Sequence, residues 1–276
     1  RDRLTTRIGT SLDNTNRNSS EVSILADINW TRTHRSGASE NVCLSYSEAS
    51  QVVGYTATGS APFNFSDPNG RQPLFAGNPD LDRETSQNLE IGTQLKRSDW
   101  SLEAAIFYRW DDDLADWVFS DARSSARIAL PVDVETLGIE LIGTKSWEKV
   151  EIIASYTFLD KDENYGDESF GGNTIDASFY ALNYAKHRFT LGAIWTPSDL
   201  LEIRIDNEWR ENEDNALRNS GDTALFTHLG LSIYPPQIDG MEIFFAVDNA
   251  WDDDFEDVPG TPGRGDQYSV GATYRW

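Results

Sequence analysis

Along most of the chain, apolar side chains occur at every second position, the period of a β-strand with one apolar face. In the last segment Tyr268, Val270, Ala272, Tyr274 and Trp276 share a face, and Ser269, Gly271, Thr273 and Arg275 take the other. From Leu201 the contrast is sharper: Leu201, Ile203, Ile205 and Trp209 alternate with Glu202, Arg204, Asp206, Glu208 and Arg210. A face that charged has to be wet. The same reading predicts twelve strands, over 3–12, 22–32, 39–48, 86–96, 100–110, 134–146, 149–159, 186–196, 200–210, 225–234, 241–251 and 267–276. Most have the roughly ten residues that a tilted strand needs to cross a bilayer, about twice the usual length in soluble proteins.

The links between these strands alternate too. Short ones fall at 33–38, 97–99, 147–148, 197–199 and 235–240, and long ones at 13–21, 49–85, 111–133, 160–185, 211–224 and 252–266. One end of the sheet therefore carries tight turns and the other long loops, the asymmetry of outer-membrane barrels. The pattern makes no demand for a helix, and runs such as Ala104–Tyr108 and Ile243–Val247 are far too short for a membrane-spanning one. Trp30, Trp110, Trp195, Trp209, Trp251 and Trp276 sit near strand ends, where interfacial girdles place them. A soluble sandwich would also alternate, but its strands would be shorter and its second face less charged.

Charge adds a direction to this picture. The 276 residues include 46 Asp and Glu against 23 Lys and Arg, a net charge of −23. The six long links hold 28 of the acids and 8 of the bases, so the excess belongs to one end. Nucleic acid would be repelled by such a surface and is not an expected partner. Acidic runs such as Asp111–Asp113, 160–168, 211–214 and 252–257 are read first as solvated faces. Asp160, Asp162 and Glu163 are in addition candidate ligands for Ca²⁺, which prefers carboxylate oxygens, although no stretch has EF-hand spacing. No other cofactor is expected.

A lone Cys43 leaves no intrachain disulfide and no multi-cysteine metal site. The chain opens on Arg1-Asp2-Arg3 without a signal peptide, and its start is read as processed or truncated. Its three histidines are His34 in a short turn, His187 at a strand start and His228 on an inner face near Gly230 and Ser232. Hydrolysis would need His187 or His228 hydrogen-bonded to a serine and a carboxylate. No catalytic residue is expected.

Several motifs, in order, give the chain a resemblance. Gly77-Asn78-Pro79-Asp80-Leu81-Asp82-Arg83-Glu84-Thr85 is similar to GNPDLxPET, and Asn88-Leu89-Glu90-Ile91-Gly92 to a YELG strand opening. Leu137–Leu141 resembles GxExE strands, Lys186-His187-Arg188 a KH strand opening, and Val247–Asp252 an NLFD segment. Pro262-Gly263-Arg264 and Tyr274-Arg275-Trp276 resemble the PGR and terminal aromatic signature that close the same proteins. Together, from Gly77 to the end, they resemble the C-terminal barrel region of TonB-dependent outer-membrane receptors. Arg83 stands where the family has proline, Ala250 where leucine is common, and Trp276 where phenylalanine is usual.

The resemblance implies an all-β, antiparallel transmembrane barrel in the outer membrane of a Gram-negative bacterium. About 12 strands of a 22-stranded barrel would be seen here, over residues 1–276, with the plug domain absent. It implies TonB-energised uptake of a scarce nutrient such as a siderophore or cobalamin. The partners it implies are outer-membrane lipid and lipopolysaccharide, the TonB complex through the missing plug, the nutrient, and the barrel-assembly machinery, for which Tyr274 and Trp276 would be the signal. Loop aromatics Trp117, Phe119, Tyr165, Phe170, Phe179 and Tyr180 are the predicted ligand contacts, because aromatic rings offer area at low entropy cost. A complete twelve-stranded passive channel and an outer-membrane hydrolase stay open as alternatives.

Overall fold

The computed structural model describes residues 2–16, 19–64, 66–67, 70–120, 126–166 and 174–276. Its elements in chain order are β1 (Asp2–Asp13), β2 (Glu21–Thr33), β3 (Ser39–Gln51), α1 (Tyr55–Gly59), β4 (Phe75–Ala76), β5 (Glu84–Lys96), β6 (Trp100–Phe119) and β7 (Arg127–Ser146). They continue with β8 (Val150–Asn164), β9 (Ala177–Ser178), β10 (Ala185–Ser198), β11 (Leu201–Asn212), β12 (Thr223–Ile233), β13 (Met241–Asp248) and β14 (Gln267–Tyr274). Apart from the two-residue strands β4 and β9, each strand pairs with the next in one meander without a crossover. The twelve predicted strands are those twelve. β1 and β14 end the meander, and no pairing joins them among the described residues.

Register carries the apolar face from strand to strand. Ala26, Tyr46, Leu89, Tyr108 and Leu137 face one another in sequence across β2, β3, β5, β6 and β7. Leu141, Tyr156, Phe189, Trp209 and Leu225 do so across β7, β8, β10, β11 and β12. Ile8, Ile28, Ile91, Ile106 and Val270 on this face are exposed, which suits lipid and not water. Tyr108, Trp110, Phe189 and Trp209 gather toward the long links and Trp30, Trp100, Trp195 and Tyr274 toward the short turns, two aromatic girdles. The opposite face carries paired charges: Arg7–Asp27 at 3.1 Å, Arg188–Glu208 at 2.7 Å and Arg204–Asp206 at 2.6 Å. No helix among the described residues is long and apolar enough to cross a membrane.

Gly138 illustrates how tightly that inner face is fitted. The ring of Phe107, its register partner, lies over it so closely that a Cβ there would sit 2.0 Å from Cζ. Gly138→Val is expected to force the ring off and to cost about 1–3 kcal/mol, read as a lower urea midpoint for loss of the heat-resistant folded band.

The link 111–133, predicted as a loop, is mostly strand. β6 and β7 run far past the upper girdle because Leu114, Asp116 and Val118, and then Ile128, Leu130, Val132 and Val134, keep the period of two. The run Asp111–Asp113 hides this continuation: the register slips between Asp111 and Leu114, and Asp113 takes φ 56°, a left-handed value that Asp tolerates. The link 49–85 contains the one-turn helix α1, which the alternation did not call for. β13 stops at Asp248, short of the predicted 251, where Asn249 turns the chain at φ 50°.

Buried apolar packing lies above the membrane band, around this projecting hairpin. Phe63, Ala76, Val118, Ile128 and Leu130 form one cluster, Val53, Ala57, Leu81 and Ala129 a second, and Val132, Val134 and Ala181 a third. The loops exchange sides to build it. β4, from the loop before β5, adds to the far edge of β7, and β9, from the loop after β8, adds to the far edge of β6.

Candidate ligand-binding site

The anchor of this end is Asp116, fully buried on β6. Its Oδ1 accepts hydrogen bonds from the amides of Trp117 (2.8 Å), Phe179 (3.2 Å) and Tyr180 (3.1 Å). Its Oδ2 accepts from the Ala181 amide (2.9 Å) and the Tyr165 hydroxyl (3.1 Å). Five donors satisfy a carboxylate that burial alone would penalise, and they hold the strap 177–184 against the hairpin. Ser178 Oγ, accepting from the Leu182 amide at 2.9 Å, tightens the turn of that strap.

The far end of the strap is held by other loops. Asn183 Nδ2 donates to the Asp257 carbonyl at 2.6 Å, and its Oδ1 accepts from Arg218 at 2.8 Å. The guanidinium of Arg218, whose side chain is 0 % exposed, also donates to the carbonyls of Glu213 (3.1 Å) and Glu256 (3.2 Å) and to Asp222. Phe255 is buried between Arg218 and Arg210, their guanidinium carbons 5.3 and 4.6 Å from its ring centre. Three loops are thus tied into one frame.

Between strap and hairpin lies a cavity of about 610 Å³. Trp117, Phe179 and Tyr180 line it together with Tyr184, Asn183, Lys161, Arg109, Glu84 and the start of α1. Phe75 backs this wall, edge-on to Trp117 at 5.1 Å and to Phe179 at 6.1 Å. Tyr180 is 58 % exposed and offers its ring freely. Burial, and then the carboxylate of Glu213, push the Tyr184 phenol up to about 12. Since the neutral phenol is favoured in the fold, its contribution to stability is complete below the ordinary tyrosine value of about 10 and is lost as pH rises through about 12. The difference in phenolate absorbance between the parent and Tyr184→Phe should show a midpoint near 12.

Of the six predicted contacts, three line the cavity. Phe119, 2 % exposed, lies behind it, its ring 6.4 Å from Phe179 and covered by Arg127 at 3.8 Å. Tyr165 is half-buried and occupied by Asp116. Phe170 lies outside the described residues. Asp116, Arg109, Lys161, Tyr184 and Phe75 were missed. The available signal for Asp116 was a single acid inside an otherwise apolar run, Leu114-Ala115-Asp116-Trp117-Val118.

The other candidates lie elsewhere. Asp160 and Asp162 take the outward face of β8 and Glu163 the inward one, and no three His, Cys, Asp or Glu come together as a metal needs among the described residues. His187 Nδ1 is 2.8 Å from the Tyr156 hydroxyl, and His228 Nδ1 is 3.1 Å from Asp248 Oδ1. Neither pairing includes a serine. Tyr274 and Trp276 are exposed at the short-turn end, 6.4 Å apart.

A match to the TonB-dependent receptor-like β-barrel family covers residues 1–250. The chain belongs to that family. The siderophore receptor PiuA of Acinetobacter baumannii shares the fold at TM-score 0.61 and 18 % identity, over 92 % of this chain and 36 % of its own. For the siderophore receptor PirA of Pseudomonas aeruginosa the values are 0.58 and 16 %, over 98 % and 45 %. For the FrpB iron transporter of Neisseria meningitidis they are 0.60 and 14 %, over 93 % and 39 %. This chain spans less than half the length of each. TonB-dependent receptors are outer-membrane proteins, and these neighbours are receptors and transporters rather than enzymes. In outer-membrane barrels generally, short turns face the periplasm and the longer loops face outward.

Proposed function

We propose that this chain forms the wall and part of the extracellular mouth of a receptor that imports a scarce nutrient, a siderophore, cobalamin or similar compound. A plug domain pulled by TonB would gate its passage. The observation that carries this reading is the aromatic-walled cavity held rigidly above a polar, charge-paired inner face. The unjoined outer edges of β1 and β14 support completion of the wall by further strands, because unpaired edge groups are costly in lipid. That argues against a passive channel made of twelve strands alone. The names of PiuA, PirA and FrpB support a metal chelate among the candidate cargoes. Lipid and lipopolysaccharide would cover the outward face, and the assembly machinery would read Tyr274 and Trp276.

In cells producing the whole receptor, one of a panel of labelled ferric siderophores and cobalamin should be accumulated only when TonB is present. Trp117→Ala combined with Tyr180→Ala should weaken binding of that compound by about tenfold or more, since each buried aromatic contact contributes around 1 kcal/mol. TonB-independent accumulation, or unchanged binding by a correctly assembled double variant, would overturn the reading.

A further inference from the structure

Two cations that line the cavity stand in one row of the sheet. Arg109 of β6 and Lys161 of β8 are both opposite Thr136 of β7 in register, on the inner face. Two strand spacings, roughly 10 Å, separate their backbones, a distance that one small anion held by both long side chains can bridge. Burial, and then the charge of Arg109, hold the Lys161 ammonium below the ordinary lysine pKa, so the two cations feel each other. Between them Thr136 is 2 % exposed, and its hydroxyl has no hydrogen-bond partner among the described residues.

Neither cation is fully claimed. Arg109 gives only Nε to Asp111, at 2.6 Å, and its Nη1 and Nη2, the end of the fork that suits an oxyanion, have no partner among the described residues. Lys161 donates once, to the Tyr180 carbonyl at 3.2 Å, its ammonium 4.7 Å from the centre of the Tyr184 ring, and has no carboxylate partner among the described residues. The two cavity carboxylates are better supplied. Asp116 has its five donors, and Glu84, though without a cationic partner, takes the Ala115 amide at 2.9 Å on one oxygen and Gln51 on the other. What this row lacks is an acceptor. A negative one set between Arg109 and Lys161 would take their spare N–H groups in charge-assisted hydrogen bonds and offset the repulsion between them.

We infer that the cavity takes an oxyanionic group of the imported compound, a carboxylate, phosphonate or sulfonate, between Arg109 Nη1 and Nη2 and Lys161 Nζ, with the body that carries it against Trp117 and Tyr180. This rests on the cavity being the ligand site proposed above. Acetylation of Lys161 tests it without knowledge of the compound. The purified whole receptor is treated with N-acetoxysuccinimide, and acetylated peptides are quantified by mass spectrometry, with the exposed Lys149 in a short turn as internal reference. Three probes that share a phenyl ring compete at matched ionic strength: benzoate (anionic), benzamide (neutral) and benzyltrimethylammonium (cationic). Each is used at about 50 mM, above a dissociation constant in the millimolar range.

Benzoate should slow acetylation of Lys161 relative to Lys149 by about threefold or more, the protection given by a probe at twice its dissociation constant, and the other two should not. In Arg109→Gln, Lys161 should still be acetylated but benzoate should no longer protect it. Equal protection by all three probes would overturn the inference in favour of the aromatic wall alone, and protection led by benzyltrimethylammonium in favour of a cation held by Glu84. Protection by none, or undiminished benzoate protection in Arg109→Gln, would overturn it too. So would a Lys161 that resists acetylation without any probe, because another part of the receptor would then occupy its ammonium. The probe comparison on the parent needs no variant and decides the matter if Arg109→Gln fails to assemble. None of these results touches TonB-dependent accumulation, so failure here leaves the import reading to its own test.

Discussion

Ile205→Arg is expected to destabilise the assembled sheet by about 2–4 kcal/mol, the cost of a cation near the middle of a barrel's lipid face, while Asp206→Asn one residue on is nearly neutral. Ile205 lies between Ala193 and Leu229 in register, outward-facing and well short of Trp209 in the upper girdle. Its neighbour points to the inner face, where Arg204 is 2.6 Å away and water completes the solvation. A lost ion pair in that setting is worth little, because exposed pairs contribute well under about 1 kcal/mol. Urea titration of the protein folded into lipid vesicles separates the two variants. Equal effects would mean that the apolar face does not contact lipid.

Asp116→Ala should free the strap while leaving the strands below intact. The substitution strips the acceptor from three strap amides and the Tyr165 hydroxyl in a place without water access, and removing one partner of a buried charged network costs about 3–5 kcal/mol. Asp116→Asn, which keeps one acceptor oxygen but turns a donor toward amides, should fall between the two. In amide hydrogen exchange, residues 178–182 are expected to lose protection by orders of magnitude in the alanine variant, with β10 and β11 unchanged. Retained protection of the strap would show that apolar packing by Phe179 and Ala181 holds it and that the carboxylate does not.

The contrast between strands and loops in these predictions matches what the amino-acid pattern can reveal. Ile203, Ile205 and Glu202, Arg204 declare their faces because lipid and lumen impose opposite chemistry on adjacent residues. All twelve spanning strands were therefore legible, together with the girdles and the gathering of the long loops at one end. Above the membrane that contrast disappears. Asp111–Asp113 reads as a loop, although a bulge lets the strand continue, and Asp116 reads as one more surface acid because three of its five donors come from residues more than sixty positions later and a fourth from Tyr165. The exchange of β4 and β9 across the hairpin depends on such distant pairings and has no local signature. Aromatic content marked Trp117, Phe179 and Tyr180, which line the cavity, but could not distinguish them from Phe119, whose ring is spent on packing.

Sidedness is the most direct test of the whole account. In a background with Cys43→Ser, single cysteines at Tyr180 on the strap and at Asp239 in the short turn between β12 and β13 can be offered a membrane-impermeant maleimide on intact cells. The account predicts labelling at position 180 in intact cells and at position 239 only after the outer membrane is permeabilised. Labelling at 239 with 180 protected would invert the sheet, place the cavity in the periplasm and contradict a receptor that captures its ligand from outside.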